Sequence, residues 1–287
     1  MLRDSASRLR SPHGCLLSKS KRVTSNFKFL FAVAAFLNPC AAHATYFVAG
    51  FSAEYAVVAI DSRMILDQAV SDRYCKIRPL SKNAFFFARG STSAFDDEEK
   101  KNAFDARDIA QSVFKKLGSD ASTAELANAW AEQIKFFYEK RPIEFSRSAV
   151  DGLMTDGFFV GMDAGGRVAF SGQSIRYRQR DKARFFATPE PVVFSDPSAG
   201  PKYVSGYQDL IREFRNGGKT KRAKTVLSRL DPAQRGPDAV AARYSAFARA
   251  VRDWTGDKGI GGDIATIILE RGKGWRWFHR PDFCPEN

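Results

Sequence analysis

The segment 45–63, TYFVAGFSAEYAVVAIDSR, constrains the fold of this chain more than any other stretch. It predicts two strands joined by a turn near Ser52, Ala53 and Glu54. The second strand, residues 55–60, is a continuous apolar run, which is typical of a strand buried on both faces. We therefore expect this strand to be covered from both sides.

Further strand and helix patterns follow in a fixed order. Residues 74–80 and 83–91 predict a second hairpin, and 152–163 and 166–175 a third. Apolar spacings of three and four predict helices over 103–117, 123–138, 207–214, 220–230 and 239–253. Gly118 would end the first helix, and Ser122 or Thr123 would cap the second. Residues 185–194, interrupted by Pro189 and Pro191, read as an edge strand or loop, and 262–280 as a closing hairpin.

This order of elements indicates the fold class. Strands, two helices, strands, helices and strands suit an α+β fold built as a four-layer αββα sandwich, in which two sheets face each other and helices cover the outside. Periodicity alone also permits an ordinary α+β fold.

The first 44 residues have the composition of a signal peptide. A basic region precedes the apolar run 29–37, and Ala42-His43-Ala44 is typical of a cleavage site. The apolar run is far shorter than the roughly 20 residues of a membrane span, which disfavours an uncleaved anchor. We expect residues 1–44 to be removed and 45–287 to form one exported domain, periplasmic or secreted.

The charge of the chain depends strongly on that leader. The whole sequence has a net charge of +13. Residues 45–287 hold 38 basic and 31 acidic residues, which gives them a net charge of +7. The basic segments 175–184 and 219–229 could contact phosphates, yet few aromatic residues accompany them. We therefore expect no nucleic acid partner and read these segments as solvated faces or contacts to anionic surface polymers.

Cysteine and histidine usage narrows the chemistry. After cleavage only Cys75 and Cys284 remain, and they form either one disulfide or two unpaired thiols. His279 is then the only histidine, which excludes a zinc site built on several histidines. His279 lies in an alternating strand pattern and is not expected to be catalytic. We expect no cofactor and no metal.

Four residues at regular spacings carry the main functional signal. Asp61 follows Thr45 by sixteen residues in the run VVAIDSR, Lys76 follows Asp61 by fifteen, and Gly90 follows Lys76 by fourteen. This pattern resembles the proteasome β subunits and their bacterial relatives among the N-terminal-nucleophile (Ntn) hydrolases, in which a cut exposes a catalytic Thr. The family spacing between the Asp and the Lys is one residue longer.

The resemblance implies a role for each residue. Thr45 would be the nucleophile, and its α-amine, freed by the cut, would be the base, because an α-amine has a pKa of about 7.7–8.0. Lys76 would lower the pKa values of the amine and hydroxyl, and Asp61 would hold Lys76 in place. Gly90 would offer its backbone N–H to the oxyanion.

The distal part of the family pattern is only partly present. The family has Asp-x-x-Ser-Gly-Gly before its last hairpin, and the chain has Asp257-x-x-Ile260-Gly-Gly, so that Ile260 replaces the Ser. Asp253 competes with Asp257 for the Asp that supports the amine. Another supporting Ser has its nearest counterpart at Ser205. The resemblance covers 45–276 and is poor over 176–236.

These features predict an exported threonine protease or amidohydrolase that removal of the leader activates. Its substrate would be a peptide or a small amide, and it could form a homo-oligomer. Proteasomes are fed by ATPases, but ATP is scarce outside the cytoplasm, so we expect no ATPase partner. The alternative is a catalytically inactive exported binding protein with the same fold, which the replacement at Ile260 favours.

Overall fold

The structure is a computed structural model, and its described residues all fall in the compact unit 39–287. They are 45–66, 69–96, 101–140, 152–178, 184–190, 203–205, 228, 236–255 and 259–286. The leader lies outside these ranges, as do the expected helix over 207–214 and, except for Ser228, the one over 220–230.

The described residues form fourteen strands and three helices. The strands are β1 (Phe47–Phe51), β2 (Tyr55–Asp61), β3 (Met64–Leu66), β4 (Ala69–Ser71), β5 (Ile77–Ser81), β6 (Ala84–Gly90), β7 (Ser93–Asp96), β8 (Lys101–Asp105), β9 (Gly152–Met162), β10 (Val168–Arg178), β11 (Arg184–Glu190), β12 (Tyr203–Ser205), β13 (Ile264–Glu270) and β14 (Gly274–His279). The helices are α1 (Ala106–Leu117), α2 (Thr123–Lys140) and α3 (Pro237–Thr255). None of these helices is long and apolar enough to span a bilayer.

Two five-stranded antiparallel sheets organise the fold. The first has the order β12-β1-β2-β13-β14, and the second has the order β11-β10-β9-β6-β5. β3 pairs with β4 and β7 with β8 as two small ribbons. The expectation of a mixed fold with antiparallel hairpins is confirmed, and β11, which contains Pro189, is an edge strand. Residues 191–194 of the expected edge segment lie outside the described residues.

Three apolar clusters lie between the sheets and helices and hold them together. The first joins α1 and α2 to one face of the second sheet, with the ring of Phe86 5.5 Å from that of Trp130. The second lies between the two sheets, where Phe47 packs 5.1 Å from Phe87. The third joins the first sheet to α3 through residues such as Tyr244.

The apolar run of β2 is explained by two of these clusters. Ala56, Val58 and Ile60 face the cluster between the sheets, whereas Val57 and Ala59 face α3. Alternate residues of a strand point to opposite faces, so both sets must be apolar. The prediction that this strand is buried on both faces is confirmed.

The helix ends follow local capping chemistry. α1 begins at Ala106, three residues later than the apolar spacing predicts, because β8 occupies the preceding residues and Asp105 caps the helix by accepting a bond from the Arg107 amide. At α2, the Glu125 amide donates to Ser122 Oγ at 3.2 Å and the Ser122 amide donates to the Glu125 carboxylate at 2.8 Å. This is a capping box, and it confirms Ser122 as the cap.

A disulfide joins Cys75 to Cys284, with their Cα atoms 5.1 Å apart. Of the two alternatives for these cysteines, the structure has the bridge. It closes a loop across a sequence separation of 209 residues and fixes the end of the chain beside the segment that leads into β5. Long loops lose the most conformational entropy in the unfolded state when they are closed.

We predict that Cys284→Ser lowers the free energy of unfolding by about 2–5 kcal/mol, because the unfolded chain regains the entropy that the disulfide removes. Urea unfolding of the non-reduced proteins measures this difference. A reducing agent should lower the stability of the wild type by a similar amount and leave Cys284→Ser unchanged. Equal stability of oxidised and reduced wild type would contradict the prediction.

Candidate active site

Three of the predicted site residues meet in one buried contact. Lys76 Nζ lies 3.0 Å from Thr45 Oγ1 and 2.9 Å from Asp61 Oδ1. Thr45 is 5% exposed, Lys76 2% and Asp61 0%, so water contributes little to their solvation. The Lys76 ammonium therefore joins Asp61 to Thr45, which lies 31 positions before the lysine in the sequence.

Asp61 is the centre of this arrangement. Besides the Lys76 ammonium, its carboxylate accepts the Tyr46 amide at 3.0 Å and the Gly261 amide at 3.3 Å. The Asp61 amide in turn donates to the Tyr46 carbonyl at 3.1 Å. The carboxylate thus extends the ladder between β1 and β2 by one residue and holds Thr45, the neighbour of Tyr46, at the end of the first sheet.

Burial moves both charged groups away from their ordinary pKa values. Burial raises the pKa of the Asp61 carboxyl, while the Lys76 ammonium and the two backbone amides act in the opposite direction. Burial likewise lowers the pKa of the Lys76 ammonium, which the Asp61 carboxylate partly offsets. A lysine with a lowered pKa gives up its proton more readily than a solvated lysine, and here its Nζ donates to Thr45 Oγ1.

The backbone around Lys76 is fixed from several directions. The Ala88 amide donates to the Lys76 carbonyl at 3.3 Å, and Arg107 donates to the Cys75 carbonyl at 2.8 Å. Arg107 also lies 3.9 Å above the Tyr74 ring and forms an ion pair with Asp105. The sequence pattern did not indicate Arg107, because its contact joins α1 to the segment before β5, 32 residues earlier in the chain.

Gly90 ends β6 and lies one strand away from the Thr45–Lys76 contact. Its φ is +84°, and a Cβ there would lie 2.4 Å from the Met154 carbonyl oxygen, so the position requires glycine. Amides two residues apart on a strand point to the same side. Because the Ala88 amide points to Lys76, the Gly90 amide is directed to the same side of β6, beyond the end of β5.

A loop before β13 closes the other side of Asp61. Ser62 Oγ donates to the Asp72 carbonyl at 2.6 Å and accepts the Asp263 amide at 2.8 Å. Gly262 has a φ of +68°, and a Cβ there would lie 2.2 Å from Ser62 Oγ. This tight approach carries the Gly261 amide to Asp61. The Asp-Ser-Arg run contained the signal for Ser62, which the sequence reasoning left without a role.

The distal candidates have different positions. Ile260 is 2% exposed and packs in the apolar cluster under α3, so this position supplies no hydroxyl. Asp253 lies in the last turn of α3, and its largely exposed side chain pairs with Arg252. Asp257 lies outside the described residues. β12 pairs with β1 and places Ser205 opposite Phe47, two residues from Thr45.

His279 contacts the side chain of Asp263, whose amide donates to Ser62 Oγ. Its Nε2 is 3.1 Å from Asp263 Oδ2, and both side chains are partly exposed. The described part of the chain holds no cluster of three or more potential metal ligands. The described site places the Thr45 hydroxyl beside a buried ammonium and a buried carboxylate.

We predict that Lys76→Met lowers the free energy of unfolding by about 3–5 kcal/mol, because it leaves the Asp61 carboxylate buried without a counter-charge. Adding Asp61→Asn should recover most of this loss, since a neutral amide oxygen still accepts the Tyr46 amide. Urea unfolding measures both variants.

The control for this prediction is Lys135→Met. Lys135 lies on α2, 3.9 Å from Glu132 and from Glu139, and surface pairs of this kind contribute less than about 1 kcal/mol. Losses of equal size in Lys76→Met and Lys135→Met would contradict the burial of the Lys76–Asp61 pair.

The chain was compared with family models, curated proteins and solved structures. No family model matches the chain, and no curated protein matches it. Among solved structures, the chain is similar to a Gly-1 mutant of Anbu from Hyphomicrobium sp. strain MC1, with a TM-score of 0.42 and 16% sequence identity. The likeness covers 82% of this chain and 87% of that chain.

Proposed function

We propose that this chain is an exported N-terminal-threonine amidohydrolase with a four-layer αββα, proteasome-like fold. The contact of Lys76 Nζ with both Thr45 Oγ1 and Asp61 Oδ1 carries the proposal. A buried ammonium beside a hydroxyl, with its own carboxylate partner, is an arrangement that activates a weak nucleophile. The substrate would be a peptide or a small amide.

Removal of the leader supplies the base. Hydrolysis of the bond between Ala44 and Thr45 would free the Thr45 α-amine, whose ordinary pKa of about 7.7–8.0 suits proton transfer near neutral pH. The amine would accept the Oγ1 proton as Oγ1 attacks the substrate carbonyl carbon. The Lys76 ammonium would stabilise the developing negative charge on Oγ1.

The remaining steps use the same groups. The oxyanion of the tetrahedral intermediate would accept a bond from the Gly90 amide, which is directed to the Lys76 side of β6. Collapse of the intermediate would break the C–N bond, and the protonated Thr45 amine would return its proton to the departing amine. Water would then attack the Thr45 ester, release the acid and restore the hydroxyl.

Two features support export. The sequence 1–44 has the order of parts of a signal peptide. The Cys75–Cys284 disulfide is a bond that persists in the periplasm or outside the cell and is rare in the cytosol. We propose a periplasmic or secreted domain over 45–287 that needs no cofactor, ATPase or nucleic acid and that could form a homo-oligomer.

The second candidate function is an inactive binding protein with the same fold. The burial of Ile260 in the apolar cluster under α3 favours it, because the position that holds a supporting Ser in the family offers no hydroxyl here. Such a protein would keep the Lys76–Asp61 pair for stability and would have lost turnover.

The start of the mature chain tests the first proposal. We predict that the full chain, expressed with its leader and recovered from the periplasm or medium of a bacterial host, begins at Thr45. Intact-mass measurement and N-terminal sequencing determine the start. A mature chain that begins at another residue would lack the threonine amine and would rule out the mechanism.

Covalent labelling separates the two candidates. We predict that an electrophile that reacts with both the hydroxyl and the amine of an N-terminal threonine adds once to the mature chain, and that Thr45→Ala abolishes the adduct. Thr45→Ser should retain it, because it keeps a hydroxyl on the same carbon. Mass spectrometry counts the adducts. A mature chain that begins at Thr45 and is never labelled would indicate the binding protein.

A further inference from the structure

A buried hydroxyl pair lies beside the turn that follows Gly90. The Tyr138 hydroxyl, at the end of α2, and Thr155 Oγ1, on β9, are 2.8 Å apart. Thr155 Oγ1 donates to the Ser91 carbonyl, and the Tyr138 hydroxyl lies 3.1 Å from the same oxygen. Tyr138 and Thr155 are both 0% exposed. The proposed mechanism uses neither residue.

The number of hydrogens on the two hydroxyls indicates which group donates to which acceptor. Each hydroxyl has a single hydrogen and so donates to one acceptor at a time. The two shorter contacts form a relay in which Tyr138 donates to Thr155 and Thr155 donates to the Ser91 carbonyl. Burial raises the pKa of Tyr138, so its hydroxyl remains a donor.

Both peptide groups of Ser91 are thereby fixed. The Ser91 amide donates to the Met154 carbonyl at 2.8 Å. The register between β9 and β10 shifts at Met154, a bulge that re-aims this carbonyl at the end of β6. The next carbonyl, that of Thr92, accepts the first amide of α1, from Ala106, at 2.8 Å. Gly90 has a φ of +84°. The turn that follows it is therefore held by the backbone bonds of Ser91 and Thr92.

We propose that Thr155 and Tyr138 are positioning residues that set the direction of the Gly90 amide toward the oxyanion. This inference rests on the proposed function, since it assigns the relay to the same site. Gly90 lacks a side chain that could anchor it, so its orientation is set by the backbone on either side: the pairing of β6 with β9 before it and the bonds to Ser91 after it. An oxyanion donor displaced by a fraction of an ångström loses much of its effect on the transition state.

Three variants test the relay, with the mature protein as the sample. Thr155→Val removes both hydroxyl contacts, Tyr138→Phe removes only the first donor, and Thr155→Ser keeps the hydroxyl. The matched control is Tyr177→Phe, because Tyr177 packs on Phe185 at 5.1 Å, the same ring-to-ring distance as Tyr138. Tyr177 lies on β10 and is not part of the site.

The first measurement is hydrogen exchange of the amides in 89–93, followed by mass spectrometry. We expect faster exchange in Thr155→Val and Tyr138→Phe than in the wild type, and no change in Tyr177→Phe. Exchange at 89–93 that is the same in Thr155→Val and Tyr177→Phe overturns the inference. This measurement requires no turnover, so it decides the inference even where the proposed function fails.

The second measurement is acylation of Thr45 by 4-nitrophenyl acetate, which requires oxyanion stabilisation. We expect Thr155→Val to lower the acylation rate constant about tenfold or more and Tyr138→Phe by about three- to tenfold, with KM unchanged. Thr155→Ser should restore the rate to within about twofold. Wild-type protein that is not acylated would contradict the proposed function alone, whereas unchanged acylation in Thr155→Val would contradict the relay.

Discussion

The buried ion pair between Lys76 and Asp61 is the interaction on which the rest of this structure depends. Two charges taken out of water are unfavourable unless their hydrogen bonds are satisfied. Asp61 meets this requirement with one ammonium and two backbone amides, and each donor comes from a different segment. The start of β1, the end of β2, the loop before β13 and the entry to β5 must therefore meet at one point.

The layers of the fold make that meeting possible. β1 and β13 both pair with β2, so the Tyr46 and Gly261 amides reach Asp61 within one sheet. Lys76 reaches the same carboxylate from the second sheet, across the aromatic cluster of Phe47, Phe87 and Phe158. Close packing of these rings fixes the separation of the sheets and hence the position of the ammonium relative to Thr45.

Local patterns predicted much of this arrangement from the sequence. Alternating and continuous apolar runs predicted β1, β2, β5, β6, β9, β10, β13 and β14, because each strand shows its burial in its own residues. The spacing of Thr45, Asp61 and Lys76 predicted their contact through a family resemblance. In contrast, β12 has only three residues, and its pairing with β1 depends on topology that no local pattern contains.

Contacts between distant segments explain the other omissions. Three bonds join elements that are far apart in the chain: the one from Arg107 to the Cys75 carbonyl, the one from the Asp263 amide to Ser62 Oγ, and the one from Tyr138 to the Ser91 carbonyl. Arg, Ser and Tyr are common residue types, and nothing in their neighbours distinguishes these from solvated ones. The choice between a disulfide and two thiols was open for the same reason.

The long sequence separation of these contacts has a consequence for the order of folding. The Gly261 amide and Cys284 belong to the last segments of the chain, 200 residues from Asp61 and 209 from Cys75 respectively. Contacts of this range cost more loop-closure entropy than local hairpins do, so we expect them to form after the hairpins. In a partly folded chain, Asp61 thus lacks the bond from the Gly261 amide, and the segment of Lys76 lacks the disulfide at Cys75. The surroundings of Thr45 are therefore a late product of folding, complete only when the segments around residues 45–76 and 261–284 have come together.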